Sequence, residues 1–145
     1  MPEVEETIVI NKPRKVVFDF FADPDSVAVY SSNVIDYEVT SGGRTEVGRQ
    51  AKFSVKVVGV KLDYTDELVE ITDGESSRLE SRKGPISYAI TMAFADEGDA
   101  TKVTWRQEIG SLGSVFKFAD GVVVKMYARD VRSNLEKAKT LLEAT

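Results

Sequence analysis

Apolar and polar positions alternate with period two from Val4 to Ile10, placing Val4, Glu6, Ile8 and Ile10 on one face and predicting a strand. Asn11-Lys12-Pro13 then opens a helix with Pro at its first position, and Val16, Val17, Phe20 and Phe21 recur at helical spacing as far as Ala22. Asp23-Pro24 caps and restarts a second short helix. After Ser31-Ser32-Asn33 the period returns to two: Ile35, Tyr37 and Val39 alternate with Val34, Asp36 and Glu38 until Ser41-Gly42-Gly43 turns the chain. Phe53, Val55 and Val57 form the next strand, which turns back near Gly59 into one carrying Leu62 and Tyr64. Leu68, Val69 and Ile71 break the even-numbered phase, which predicts a bulge near Asp66 or Glu67 that rotates later residues to the other face.

Beyond Thr72-Asp73-Gly74 lies a thin, polar strand from Ser76 to Lys83 around Leu79. A richer strand follows with Ile86, Tyr88, Ile90, Met92 and Phe94 on one face, and another with Val103, Trp105, Gln107 and Ile109. The connections after the first two helices are hairpin-length, so antiparallel pairing of seven strands is expected. From Ser114 to Glu143 the spacing is helical, through Phe116, Ala119, Val123, Met126, Val131, Leu135, Ala138 and Leu142. Such a helix spans about 45 Å and must lie along a large apolar surface; the sheet is the candidate. Gly121 within it marks either a later helix start or a hinge beside a ligand portal. The expected fold class is α+β: a seven-stranded curved antiparallel sheet, two short helices after strand one, and a long C-terminal helix gripped by the sheet. A bent sheet cannot lie flush along a straight helix, so an apolar cavity between them is the expected small-molecule site.

Composition narrows the chemistry. The 145 residues, 42% hydrophobic and 30% charged, fit one domain over 1–145 whose folding should bury about 68–70% of the unfolded chain's surface without disulfide or metal. There is no Cys and no His, which removes most zinc sites, Cys–His pairs and the usual serine triad. No cofactor or metal is expected. A net charge of −5 argues against nucleic acid or an anionic membrane as partner. With no apolar h-region and no apolar run near 18 residues, the expected location is cytoplasmic.

Several segments resemble a known family. Ile8-Val9-Ile10-Asn11-Lys12-Pro13 running into Val17-Phe18-Asp19-Phe20-Phe21-Ala22-Asp23-Pro24, then Tyr30, Val47-Gly48, Ala100-Thr101-Lys102-Val103-Thr104-Trp105 and the closing amphipathic helix, resemble the START-like, polyketide cyclase, Bet v 1-like superfamily with its helix-grip fold. The likeness spans essentially the whole chain. Within the superfamily the sequence is most similar to the small microbial branch related to the carbon monoxide dehydrogenase G-subunit, with Tyr30 where Trp is common. The resemblance implies a hydrophobic or amphipathic ligand, lipid-like or polyketide-like, held between sheet and helix. It also leaves two alternatives: a cyclase- or hydrolase-type enzyme, and an accessory interaction protein that uses its cavity little.

The residues expected to line the ligand space are Tyr30, Tyr37, Phe53, Val55, Tyr64, Tyr88, Ile90, Met92 and Trp105, with Ala119, Val123 and Met126 from the helix. Any single one of these aromatics, Phe94 included, reads first as core packing. Three tyrosines on inward faces nevertheless imply a polar partner inside, because a buried hydroxyl must be paired. Four further residues interrupt apolar stripes. Glu6 reaches solvent from a strand end or becomes a pocket acid, and the same choice stands for Asp66, Gln107 and Asp130: each faces the cavity, or a bulge accounts for Asp66 and a partner one helical turn away for Asp130. No catalytic residue is assigned, and the absence of His weakens the enzyme reading.

Overall fold

A computed structural model describes residues 3–57, 59–110 and 120–145. The strands are β1 (Glu3–Ile10), β2 (Val34–Ser41), β3 (Gln50–Val57), β4 (Val60–Thr72), β5 (Ser76–Lys83), β6 (Tyr88–Glu97) and β7 (Ala100–Ile109). They form one antiparallel sheet in the order β1-β7-β6-β5-β4-β3-β2. Helix α1 (Arg14–Ala22), a 3-10 turn (Pro24–Ser26) and α2 (Val27–Tyr30) link β1 to β2, the two edge strands, and α3 (Asp120–Glu143) ends the chain. This is the helix-grip arrangement that the periodicities predict. The segment 114–119, expected to begin the terminal helix, lies outside the described residues, as do the portal readings that depend on it. Gly121 falls in the first turn of α3, where an added Cβ would meet nothing within 4 Å. None of the described helices is long and apolar enough to cross a membrane.

Local chemistry explains the joints. Pro13 sits at the N-cap of α1 in extended conformation, and the Asp23 carboxylate accepts the Asp25 amide at 2.9 Å to start the 3-10 turn. The buried face of α1 is Val17, Phe18 and Phe21, whereas Val16, expected among them, is 46% exposed. Phe18 takes its place, meeting Phe94 edge to face at 5.3 Å.

Two strand irregularities set what faces inward. In β2, Asp36 adopts φ 56°, and the pairing jumps from Ile35↔Ser54 to Glu38↔Lys52. Asp is among the few side chains that tolerate this left-handed conformation. The bulge opposite Phe53 brings Val34 into phase with Tyr37, so the simple alternation expected through β2 is broken. In β4 the outcome is the reverse of the expectation. The β3–β4 register runs unbroken from Gln50↔Glu67 to Val57↔Val60, and the slip at Thr65/Asp66 appears only against β5. Asp66 therefore stays in the inward phase with Leu62, Tyr64 and Leu68, and only 2% of it is exposed. The phase change comes later, between Leu68 and Glu70.

Helix α3 has two functional halves. Val131, Leu135, Ala138 and Leu142 are buried in one cluster with Val4, Ile10, Val17 and Val103. Ties at its edge hold it along β1: Arg132 to Glu6 at 2.7 Å, Lys139 Nζ to the Val9 carbonyl at 2.6 Å, and the Asn11 amide to Glu143 at 2.8 Å. Glu6 thus points to the rim and is paired, and it is not a pocket acid. Exposed pairs of this kind contribute about 0–1 kcal/mol each, so the apolar cluster anchors the helix. Leu135→Ala should accordingly lower unfolding free energy by about 2–5 kcal/mol, against about 0.5 kcal/mol for the exposed Leu141→Ala. Urea denaturation of the two variants measures the contrast, and equal effects would contradict this placement of α3.

Candidate functional site

Towards its N-terminal half, α3 stands off the sheet and leaves a cavity of about 130 Å³, roughly ten times the space one water molecule requires. Tyr127, Asp130, Val131 and Asn134, spaced three or four apart, form the helix wall. Tyr30 and Ser31 of the α2 segment close one side, and the Asn134 amide donates to Ser31 Oγ at 3.0 Å to join the two walls. The sheet supplies Tyr37, Phe53, Val55, Tyr64, Tyr88, Ile90, Met92 and Trp105, in agreement with the inward phases of the sequence. Thin strand β5 contributes Ser77 and Leu79. Of the expected helix residues, Ala119 lies outside the described residues, as does the side chain of Val123. Met126 is half-buried and is not among the lining residues; the helix turns Tyr127 inward instead.

The aromatic side chains form two arcs. Tyr37, Phe53, Tyr64 and Tyr88 follow one another across the sheet at centroid distances of 5.2, 5.7 and 5.5 Å, the Phe53–Tyr64 pair being stacked. Gly84, at φ +147°, is required beside this arc, because a Cβ there would collide with the Tyr64 ring. On the other side Tyr30 meets Phe21 at 5.1 Å and Trp105 at 6.3 Å. The Trp105 indole donates to Gln107 Oε1 at 3.2 Å, so Gln107, buried and on the cavity wall, has a partner. Phe94 belongs to the core beneath, packed on Phe18 and Phe21.

One charged cluster breaks this apolar lining. The Tyr37 hydroxyl donates to both Asp66 oxygens, at 3.0 and 3.2 Å, and accepts from Arg49 Nη2 at 3.0 Å. Arg49 is only 3% exposed; its Nη1 donates to the Arg44 carbonyl at 2.7 Å, and its Nε is buried without a partner. Burial raises the Asp66 carboxyl from 3.8 to about 6, opposed by the Tyr37 hydrogen bond, the Arg49 charge and the Tyr88 hydroxyl. Burial likewise pushes the Tyr30, Tyr37, Tyr64 and Tyr88 phenols above their usual range, so they stay neutral. Asp130 lies exposed on the rim, its carboxyl raised by partial desolvation.

Sequence reasoning missed Arg49. A signal existed: the inward phase of Phe53 and Ala51 extends two residues further back to Arg49. The ladder confirms it, with the Leu68 amide bonded to the Arg49 carbonyl at 2.9 Å.

The cluster makes stability depend on pH. Between pH 3.8 and about 6, folded Asp66 holds a proton that the unfolded chain has released, so stability falls as pH rises through that window. The stabilisation is fully present below the lower value and is lost, by about 3 kcal/mol, above the upper one. Asp66→Asn removes this titration. Urea denaturation should show the variant gaining about 2 kcal/mol on the parent between about pH 4 and about pH 7; a difference independent of pH would mean the carboxyl is solvated.

Comparison with known proteins agrees with the architecture. The family described as polyketide cyclase / dehydrase and lipid transport matches residues 1–143. Among proteins of curated function, none matches the sequence at a significant level. The chain superposes on TTHA0849 from Thermus thermophilus with a TM-score of 0.86 at 22% identity, covering 99% of this chain and 98% of that one. For a START superfamily protein from Mycobacterium smegmatis the values are 0.82, 9%, 98% and 97%. For major latex-like protein 151 from Panax ginseng they are 0.76, 16%, 95% and 95%. At these identities the likeness is one of fold. The family match over nearly the whole length means that the chain belongs to the family described as polyketide cyclase / dehydrase and lipid transport.

Proposed function

We propose that this chain binds a small, mainly apolar ligand, lipid-like or polyketide-like, between the sheet and the N-terminal half of α3. The observation that carries the reading is a cavity lined on opposite sides by rings and aliphatic groups, with the Tyr37–Asp66–Arg49 cluster among the polar groups at its wall. Apolar burial supplies about 25 cal/mol per Å² removed from water, and a few placed polar groups orient the bound molecule. Tyr30, Tyr37, Phe53, Val55, Tyr64, Tyr88, Ile90, Met92 and Trp105 are the proposed contact residues. The family's description, which joins lipid transport to cyclase and dehydrase chemistry, is compatible with this.

An enzyme is the second reading, favoured by Asp66. A carboxyl that titrates at about 6 beside neutral tyrosines is suited to exchange protons with a bound carbonyl compound. Its signature would be Asp66-dependent exchange of a bound ketone's α-protons in deuterated water. The accessory role suggested by the narrower likeness to the carbon monoxide dehydrogenase G-subunit finds less support in an interior that is not packed solid.

An environment-sensitive apolar fluorophore should bind the protein with one-to-one stoichiometry, and Ile90→Trp, which fills the cavity from β6, should weaken it by about tenfold or more. Circular dichroism checks that the variant stays folded. Unchanged affinity in a folded Ile90→Trp protein would place the fluorophore elsewhere and overturn the cavity reading.

A further inference from the structure

We propose that Asp66 is the polar anchor of the ligand and selects a neutral molecule bearing a hydroxyl over the carboxylate built on the same ring system, an inference that rests on the cavity reading above. Donors and acceptors around Asp66 do not balance. An ionised carboxylate offers about four lone-pair sites, and Tyr37 spends a single proton across both Asp66 oxygens at 3.0 and 3.2 Å. Even with the Tyr88 hydroxyl as a second donor, lone pairs are left over. The Tyr37 hydroxyl cannot donate to a ligand without withdrawing its one proton from Asp66, and it already accepts from Arg49 Nη2 at 3.0 Å. Arg49 has committed Nη1 to the Arg44 carbonyl, and its Nε is sealed from contact. The cluster therefore presents surplus acceptor capacity on Asp66, while Arg49 already holds the Tyr37 hydroxyl and the Arg44 carbonyl with two of its five N–H groups. A ligand hydroxyl donating to Asp66 fills that surplus. A ligand carboxylate would set a second anion against the first, and two such groups cannot both stay ionised at hydrogen-bond distance. It could enter only with a proton on Asp66.

The two ligand types should consequently respond to pH with opposite slopes. The groups around the Asp66 carboxylate are Tyr30 from α2, Tyr37 from β2, Arg49 ahead of β3, Tyr64 on β4 and Tyr88 from β6, with Tyr127 and Asp130 on the facing helix. Burial keeps these phenols neutral. Among these described groups, Asp66 and Asp130 are the two that can change charge between about pH 4 and about pH 8.

Naphthalene, 2-naphthol and 2-naphthoate test the idea on the intact chain by isothermal titration, because between about pH 5 and about pH 8 the naphthol stays neutral and the naphthoate stays anionic. At about pH 7.5, 2-naphthol should bind about tenfold or more tighter than naphthalene, as expected for a hydrogen bond to a charged acceptor. It should lose that advantage as Asp66 protonates. 2-Naphthoate should bind more weakly than naphthalene and gain up to about tenfold per unit of falling pH until Asp66 is protonated, with proton uptake visible as a dependence on buffer ionisation enthalpy. Asp66→Asn should abolish both slopes, and Asp130→Asn should leave them in place. Equal affinities for all three compounds, or naphthoate binding tightest without proton uptake, would overturn the inference while leaving the cavity reading intact. Failure of naphthalene itself to bind would overturn both. The comparison of compounds on the parent protein stands even if Asp66→Asn does not fold.

Discussion

The structure turns on a mismatch between a seven-stranded sheet and the single long helix available to cover it. One helix can lie close along only part of such a surface. Here the close part is the C-terminal half of α3, where Val131, Leu135, Ala138 and Leu142 share a core with β1, β7 and α1. Fixing that end determines the other: the helix leaves the sheet near Val131, and the space between is walled by Tyr127, the aromatic arcs and the α2 segment. Stability and cavity are thus two outcomes of one packing arrangement, and they meet at Val131, which belongs both to the core and to the cavity wall.

Within that space the balance of terms changes. Most of the wall gains free energy simply by excluding water, but Asp66 and Arg49 lose hydration that must be replaced. The Tyr37 hydroxyl does this by standing between them, accepting from one and donating to the other. The replacement is incomplete, as the raised Asp66 carboxyl and the unpartnered Arg49 Nε show. Arg44 extends the arrangement outward: its carbonyl holds Arg49, and its side chain pairs with Asp23 and Asp25 at the 3-10 turn. The loop before β3 therefore connects the cavity's charge to the short helices that close it.

Much of the architecture is legible in the periodicities. The switches between period two and helical spacing locate β1, α1, β6 and β7 within a residue or two, and inward phases place Tyr64, Tyr88, Ile90 and Trp105 on the cavity wall. What escapes the reading has physical causes. A bulge is read from a phase change, but phase cannot say which strand carries the extra residue, so Asp66 reads as a bulge residue although the slip against β5 leaves its own phase unchanged. In β2 the left-handed Asp36 breaks an alternation that looks regular. Arg49 escapes because charge outweighs phase: an arginine beside a glycine reads as a solvated loop residue until its ladder partners are known. On α3, neighbouring residues differ by about 100° in direction, and the apolar stripe alone does not favour Tyr127 over Met126.

The central claim is that ligand sits between the sheet and α3, touching both. Nuclear Overhauser contacts from bound naphthalene to methyl-labelled protein test it most directly. The account predicts simultaneous contacts to Ile90 on the sheet and Val131 on the helix. Contacts confined to the exposed Val16 or Val29, or to neither wall, would contradict it.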